Sequence, residues 1–162
     1  MTDIAIIDIE ASGLHFDSYP IEIAVLKHGE VRSWLIRPEP QWTYWCQTAQ
    51  SLHGLSRQQL NDEGLEGAEV VRQLNEFVSD TEGILYSDAD RWDADWVATL
   101  YFAAQQSCPF HVGSIYDLLP AEQIQPFNQL KTQLAQSGEF RQHRAGQDVL
   151  MIARAYAWMA EK

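Results

Sequence analysis

The sequence predicts an α/β protein in which helices cover one mixed β-sheet. Three strand-like segments open the chain, helical and strand-like segments then alternate, and a long helical segment ends it. We expect the first strands to form an antiparallel hairpin and the alternating ones to add parallel strands. Because the 162 residues contain no repeat, low-complexity tract or linker, we expect a single domain over residues 1–162.

The first three segments have the patterns of strands. Residues 4–9 are apolar except for Asp8, which is typical of a buried central strand. Residues 21–27 and 31–37 are the next two candidates, and the short polar segment 28–30 between them is typical of a tight turn. These two strands are therefore predicted to form a hairpin.

The rest of the chain alternates between predicted helices and short strands. Apolar residues at helical spacing, or a serine suited to capping, predict helices over residues 56–60, 67–79, 93–105, 121–137 and 143–159. Short apolar segments predict strands over residues 83–86 and 110–115. Residues 41–54 show no clear period, so we expect a loop there that packs aromatic side chains.

The net charge is −12, which is unusual for a protein that binds long nucleic acids. Such binding depends on many Lys and Arg side chains that neutralise phosphates. A nuclease acting on short substrates remains compatible with this charge, because bound metal ions can supply the positive charge. Solubility explains the acidity equally well.

The cysteine pattern and the hydropathy favour a cytoplasmic protein. Cys46 and Cys108 lie far apart and lack the spacing of metal ligands, so we expect both to be reduced. No apolar run is long enough to span a bilayer, and the N-terminus lacks the features of a signal peptide. We therefore expect no contact with a membrane.

Asp8 and Glu10 form the first candidate site. Residues two apart in a strand face the same side, so both carboxylates project together from the end of a buried strand. They repel each other unless a cation compensates their charge. Carboxylate oxygens suit hard divalent ions such as Mg²⁺ or Mn²⁺. The alternative is that both side chains are simply solvated.

His143 and Asp148 form the second candidate site, where the last predicted helix begins. Their spacing is consistent with a histidine on the entering loop and an aspartate on the first inward turn. A neutral imidazole can accept a proton near pH 7. The alternative is a helix start that favours acidic residues near its positive dipole end.

Asp93 is the third candidate, because it lies where a predicted strand leads into a helix. The alternative is that it caps this helix without any role in catalysis. Asp88 and Asp90, on the preceding loop, compete for the same role. Asp95 points about 200° around the helix from Asp93.

The order and spacing of these pieces resemble the DEDDh exonucleases, a superfamily that includes proofreading subunits of DNA polymerases, ribonuclease T and oligoribonuclease. The matching motifs are D-x-E-x-S-G-L at residues 8–14, an aromatic-Asp-x-x-aromatic element at residues 92–96, and H-x-A-x-x-D at residues 143–148. Residues 20–25 look like the second strand of that family, and residues 52–56 like its H-G-I-[ST] element.

The resemblance implies a ribonuclease-H-like fold and release of nucleoside 5′-monophosphates from the 3′ end of single-stranded or 3′-overhanging DNA or RNA. It implies that Asp8 bridges two divalent metal ions, Mg²⁺ or Mn²⁺, and that Glu10, Asp93 and Asp148 complete the ligand set. His143 would act as the general base.

The resemblance also places the backbone of residues 11–14 beside the terminal nucleotide. The residues concerned are Ala11, Ser12, Gly13 and Leu14. Gly13 would permit close approach of the substrate, and Leu14 would pack on the last base.

Further substrate contacts are expected from a histidine and three arginines. His53 would either contact the substrate or cap its own loop. Arg91, Arg141 and Arg144 are candidates for contacts with phosphate. The alternative for each is a local salt bridge, and for Arg91 we favour this alternative.

Two departures from the family pattern affect these expectations. Ala11 stands where relatives often have Thr, and Ala89 stands where the middle motif usually has Asn, which leaves open whether Asp93 or Asp88 is the third acidic ligand. The alternative function is therefore a catalytically silent family member that binds nucleic acid or a polymerase. A homodimer is the other partner arrangement that we consider.

Overall fold

A five-stranded mixed sheet organises the protein, for which we describe a computed structural model covering residues 3–162. The strands are β1 (Ile6–Ala11), β2 (Pro20–Lys27), β3 (Glu30–Leu35), β4 (Ile84–Ser87) and β5 (His111–Ser114). Their order in the sheet is β3-β2-β1-β4-β5. Strands β1, β2 and β3 pair antiparallel, whereas β1, β4 and β5 pair parallel. The predicted mixed sheet is therefore confirmed.

The predicted hairpin between β2 and β3 is also confirmed. His28 and Gly29 connect the two strands, and both have positive φ angles, of 46° and 77°. Two-residue hairpin loops favour this backbone because its twist matches that of the flanking strands.

Helices cover both faces of the sheet. They are α1 (Gln47–His53), α2 (Arg57–Glu63), α3 (Gly67–Phe77), α4 (Asp90–Ala103), α5 (Ala121–Gln136) and α6 (Ala145–Ala160), and a 3-10 turn spans Ile115–Leu118. Ile7 and Ile9 of β1 share one core with α3 and α4, whereas Ile6 shares the other core with α5 and α6. Alternation along β1 therefore directs Asp8 and Glu10 to the α6 face.

Helix α1 corrects the prediction of a loop over residues 41–54. Its seven residues show no periodic pattern of apolar side chains, since His53 is the only one of them that is buried. The helix ends at Gly54, whose φ of 76° is left-handed and whose N–H donates to the carbonyl of Gln50. Hydrophobic periodicity cannot reveal a helix that buries so little of its surface.

Two helix starts also differ from the prediction. Helix α4 begins at Asp90 instead of Asp93, and α6 begins at Ala145 instead of His143. Asp93 therefore lies inside the first turn, while His143 lies on the loop that enters α6. No helix within residues 3–162 combines the length and the apolar character needed to cross a membrane.

Candidate active site

Three carboxylates meet where β1 ends and α6 begins. Asp8 and Glu10 come from β1, and Asp148 comes from the first turn of α6. Each offers an oxygen atom, and these atoms all lie within 4.8 Å of one another. They face a pocket of about 400 Å³. The predicted convergence of the first strand and the last helix is therefore what the structure shows.

Asp93 reaches the same pocket from the start of α4. It is only 1% exposed, and its carboxylate accepts a hydrogen bond of 2.5 Å from the hydroxyl of Ser87, the last residue of β4. The capping alternative is wrong, because the N-cap of α4 is Ala89. Asp93 lies outside the tight group of three oxygens but beside it.

The other acids near α4 are placed differently. Asp88 lines the pocket but forms an ion pair of 2.8 Å with Lys131 of α5. Asp95 is exposed, as its position around the helix predicts. Of Asp88 and Asp93, only Asp88 therefore has a cationic partner, whereas Asp93 forms no ion pair within residues 3–162.

Burial and mutual repulsion raise the pKa of each carboxyl group in this cluster. Burial, followed by the charges of Asp93 and Asp148, raises the pKa of Asp8 well above its usual value. Burial is the main cause for the others too, and it raises the pKa of Glu10 to about 9, of Asp93 to about 8 and of Asp148 to about 6. Such a cluster favours either protons or a bound cation.

The cluster has the properties expected of a site for hard divalent ions. Its donors are all carboxylate oxygens, which Mg²⁺ and Mn²⁺ prefer. Asp8 Oδ2 is buried and has no hydrogen-bond partner within residues 3–162. A buried, unpaired carboxylate oxygen costs free energy that metal coordination would offset. Asp8, Glu10 and Asp148 are therefore able to hold such an ion, with Asp93 lining the same pocket.

His143 lines the same pocket from the loop before α6. Its φ is 62°, in the left-handed region that is uncommon for non-glycine residues. It lies beside Asp148, and its proximity lowers the pKa of that carboxyl group against the larger effect of burial. The structure thus brings His143 together with Asp8, Glu10, Asp93 and Asp148.

Among residues 11–14, only one lines the pocket. Leu14 lines the pocket and is 72% exposed, whereas Ala11, Ser12 and Gly13 are buried. A Cβ on Gly13 would lie 2.8 Å from Tyr44 Cε1 and from the Cβ of Cys46. The groups that approach Gly13 closely are therefore the protein's own Tyr44 and Cys46. Substrate contacts at Ala11, Ser12 and Gly13 stay predictions.

His53 and Arg144 are both engaged within the protein. His53 is 2% exposed, and its Nδ1 accepts a hydrogen bond of 3.0 Å from the backbone N–H of Leu55, which is the loop-capping alternative. Arg144 forms an ion pair of 2.8 Å with Glu22 of β2. A substrate contact by either residue stays a prediction. His53 Nε2 is buried and has no hydrogen-bond partner within residues 3–162, whereas Arg144 would have to share its guanidinium with Glu22.

Ser87 and Glu22 are two residues of the site that the sequence analysis did not identify. Glu22 gave one signal, since it interrupts the otherwise apolar run of residues 20–26. Ser87 gave none, because a serine at the end of a strand is ordinary.

The fold and the acidic pocket define a ribonuclease-H-like α/β protein. Escherichia coli Exonuclease I in complex with a dT13 oligonucleotide matches with a TM-score of 0.74 and 15% identity, over 97% of this chain and 41% of that chain. The nuclease domain of 3′hExo, a DEDDh family member bound to rAMP, matches with a TM-score of 0.72 and 19% identity, over 98% and 91%.

These structures confirm, for the fold, the predicted resemblance to the DEDDh 3′–5′ exonucleases. The chain spans about two-fifths of Exonuclease I but most of the 3′hExo nuclease domain. No protein-family model matches this sequence, and no curated protein matches it.

Proposed function

We propose that this protein is a metal-dependent 3′–5′ exonuclease that releases nucleoside 5′-monophosphates from single-stranded DNA or RNA. The observation that supports this proposal is the convergence of Asp8, Glu10 and Asp148, with Asp93 beside them, in one pocket. The fold of the nuclease structures reported above supports it as well.

In this proposal Asp8, Glu10, Asp93 and Asp148 hold two divalent ions, Mg²⁺ or Mn²⁺. Bound ions of this kind supply positive charge to the phosphate and lower the pKa of water. The protein supplies the base: the imidazole of His143 accepts the proton of the attacking water. The water oxygen forms a bond to phosphorus, the bond from phosphorus to the 3′ oxygen breaks, and that oxygen takes up a proton from solvent.

The exposed side chain of Leu14 would pack against the terminal base at the mouth of this pocket. The −12 net charge is consistent with a short substrate, because few basic side chains are available to bind a long phosphate backbone.

The test is a gel assay with a 5′-labelled oligonucleotide in the presence of Mg²⁺ or Mn²⁺. We expect a ladder that shortens from the 3′ end. Matched DNA and RNA oligomers of several lengths would then define the preferred substrate. Binding of the oligonucleotide without cleavage in either metal would instead favour the silent, nucleic-acid-binding alternative.

Asp8→Ala provides the decisive variant. We expect cleavage to be abolished while the fold survives, because removing one carboxylate from an anionic cluster relieves repulsion in the metal-free protein. Asp95→Ala is the matched control, since Asp95 is an exposed carboxylate on the same helix as Asp93. Retained activity in Asp8→Ala would overturn the proposed site.

A further inference from the structure

Glu22 is a buried acid that the proposed chemistry does not use. It is 3% exposed within β2, where its neighbours Ile21 and Ile23 are fully buried. The Nε of Arg144 donates to both of its carboxylate oxygens, at 3.1 and 3.3 Å, and Arg144 Nη2 donates to Oε2 at 2.8 Å. The backbone N–H of Ala145 donates to Oε1 at 2.8 Å. One carboxylate therefore holds two consecutive residues that lie 122 and 123 positions away in the sequence.

These two residues follow His143 directly and begin helix α6. Arg144 is the N-cap residue of α6, and its own side chain makes no capping hydrogen bond. The first N–H groups of a helix need acceptors from elsewhere. Glu22 meets this need from a neighbouring strand, and a carboxylate also interacts favourably with the positive end of the helix dipole.

The backbone at His143 requires such support. A φ of 62° is unfavourable for a residue with a side chain, and it persists only where the surroundings hold it. No side-chain hydrogen bond within residues 3–162 involves the His143 ring. The location of the imidazole therefore depends on the backbone that enters α6.

Glu22 also ties this backbone to the strand that carries the acidic cluster. It pairs with Glu10 in the antiparallel register of β1 and β2. Side chains directly opposite in such a pair lie on the same face of the sheet. The strand that presents Glu10 and the loop that presents His143 are thus connected through one partly buried ion pair.

We propose that Glu22 and Arg144 form a positioning pair that holds the general base His143 at a set distance from the carboxylate cluster. This inference rests on the proposed function for its catalytic part. An ion pair with a buried partner adds little to stability compared with apolar packing, so orientation is the better explanation for this one.

The test uses Glu22→Gln, which keeps the shape of the side chain and an acceptor for Ala145 but removes the charge that holds the guanidinium. We expect kcat to fall roughly 10- to 100-fold, as is typical for residues that orient a catalytic group. KM and the affinity for Mn²⁺ should change by less than about 3-fold, because no metal ligand is removed. Glu139→Gln is the matched control, because it removes another glutamate–arginine pair of α6, that with Arg154, at 2.9 Å.

A double-mutant cycle separates positioning from a general loss of structure. If Glu22 acts through His143, the Glu22→Gln change should cost almost nothing in a His143→Ala background. An equal loss of rate in both backgrounds would overturn the proposal. Should Glu22→Gln lower the melting temperature severely, Arg144→Lys replaces it in the cycle, because it keeps the charge but loses the paired geometry.

A second readout does not depend on hydrolysis. The imidazole Cε1–H resonance of His143, assigned by its loss in His143→Ala, should be single in the wild type and broadened or split in Glu22→Gln. An unchanged resonance would contradict the positioning role even if the protein hydrolyses nucleic acid. Absence of hydrolysis in the wild type, with an altered resonance in the variant, would instead contradict only the exonuclease proposal.

Discussion

The hydroxyl of Ser87 donates a hydrogen bond of 2.5 Å to the carboxylate of Asp93, and both side chains are buried. This contact joins the end of β4 to the first turn of α4 and orients Asp93 in the acidic pocket. Asp88 lies only five positions earlier, yet it forms an ion pair with Lys131. The two acids that the sequence leaves as alternatives therefore have different environments.

This difference predicts unequal effects of removing each acid. We expect Asp93→Asn to lower the rate of cleavage roughly 100-fold or more, since it weakens the proposed metal site. Asp88→Asn should cost less than about 10-fold, because Lys131 already neutralises its charge. Single-turnover cleavage of a labelled oligonucleotide measures both. A larger loss for Asp88→Asn would reverse the assignment of the third ligand.

The raised pKa values predict how the stability of the metal-free protein depends on pH. Glu10, Asp93 and Asp148 bind protons more tightly in the folded protein than in the unfolded chain, so the folded state gains relative stability when they are protonated. The free energy of unfolding should therefore fall as the pH rises from about 4 to about 9.

Thermal melting in the presence of a chelator measures this dependence. We expect the melting temperature to decrease as the pH rises from about 4 to about 9. Adding Mg²⁺ or Mn²⁺ at the alkaline end should raise the melting temperature again, because the carboxylates are then deprotonated and free to bind cations. Asp8→Asn should show a smaller decrease because the cluster then carries one charge fewer. If the melting temperature of the metal-free protein increased over the same pH range, the raised pKa values of these carboxyl groups would be contradicted.

The variant His143→Ala tests whether His143 is the general base of the proposed reaction. General-base assistance is worth about 10²–10⁴-fold, so we expect a loss of rate in that range. Binding of Mn²⁺, measured by calorimetry, should be retained because the imidazole is not among the proposed ligands. His111→Ala is a suitable control, since His111 is exposed on β5. An unaltered rate in His143→Ala would remove the residue from the mechanism.

The exposed aromatic side chain of Phe16, near Leu14, predicts how substrate length affects binding. Phe16 is 88% exposed, and its ring lies 4.3 Å from that of His15, which stacks on Tyr44 at 4.4 Å. Aromatic rings of this kind stack on bases of single-stranded nucleic acids. We therefore expect Phe16→Ala to raise KM about 5- to 10-fold for an oligonucleotide, equivalent to roughly 1 kcal/mol of stacking.

A substrate with a single nucleotide provides the comparison. The 4-nitrophenyl ester of thymidine 5′-monophosphate has no upstream base, so its KM should be unchanged in Phe16→Ala. Phe102→Ala is the matched control, because Phe102 is equally exposed but lies near the far end of α4. An equal rise in KM for both substrates would indicate that Phe16 contacts the terminal nucleotide and not an upstream base.

Local sequence patterns were sufficient where short-range physics controls the structure. The alternation in β1 predicted that Asp8 and Glu10 share a face, and the positive φ angles of His28 and Gly29 agree with the predicted hairpin turn. Helices with an apolar stripe were also predicted, because that stripe is what packs on the sheet. Helix α1 was missed since its contacts do not follow such a stripe.

The sequence by itself determined which residues are candidates for the chemistry and the order of the elements that present them. Only the tertiary structure decided the environment of each residue. In the folded protein Arg144 forms an ion pair with Glu22, and Tyr44 occupies the space beside Gly13. The hydroxyl of Ser87 donates a hydrogen bond to Asp93. The physical reason is distance along the chain: periodicity and turn propensity act over a few residues, whereas an ion pair between positions 22 and 144 exists only after the sheet and the last helix have packed together.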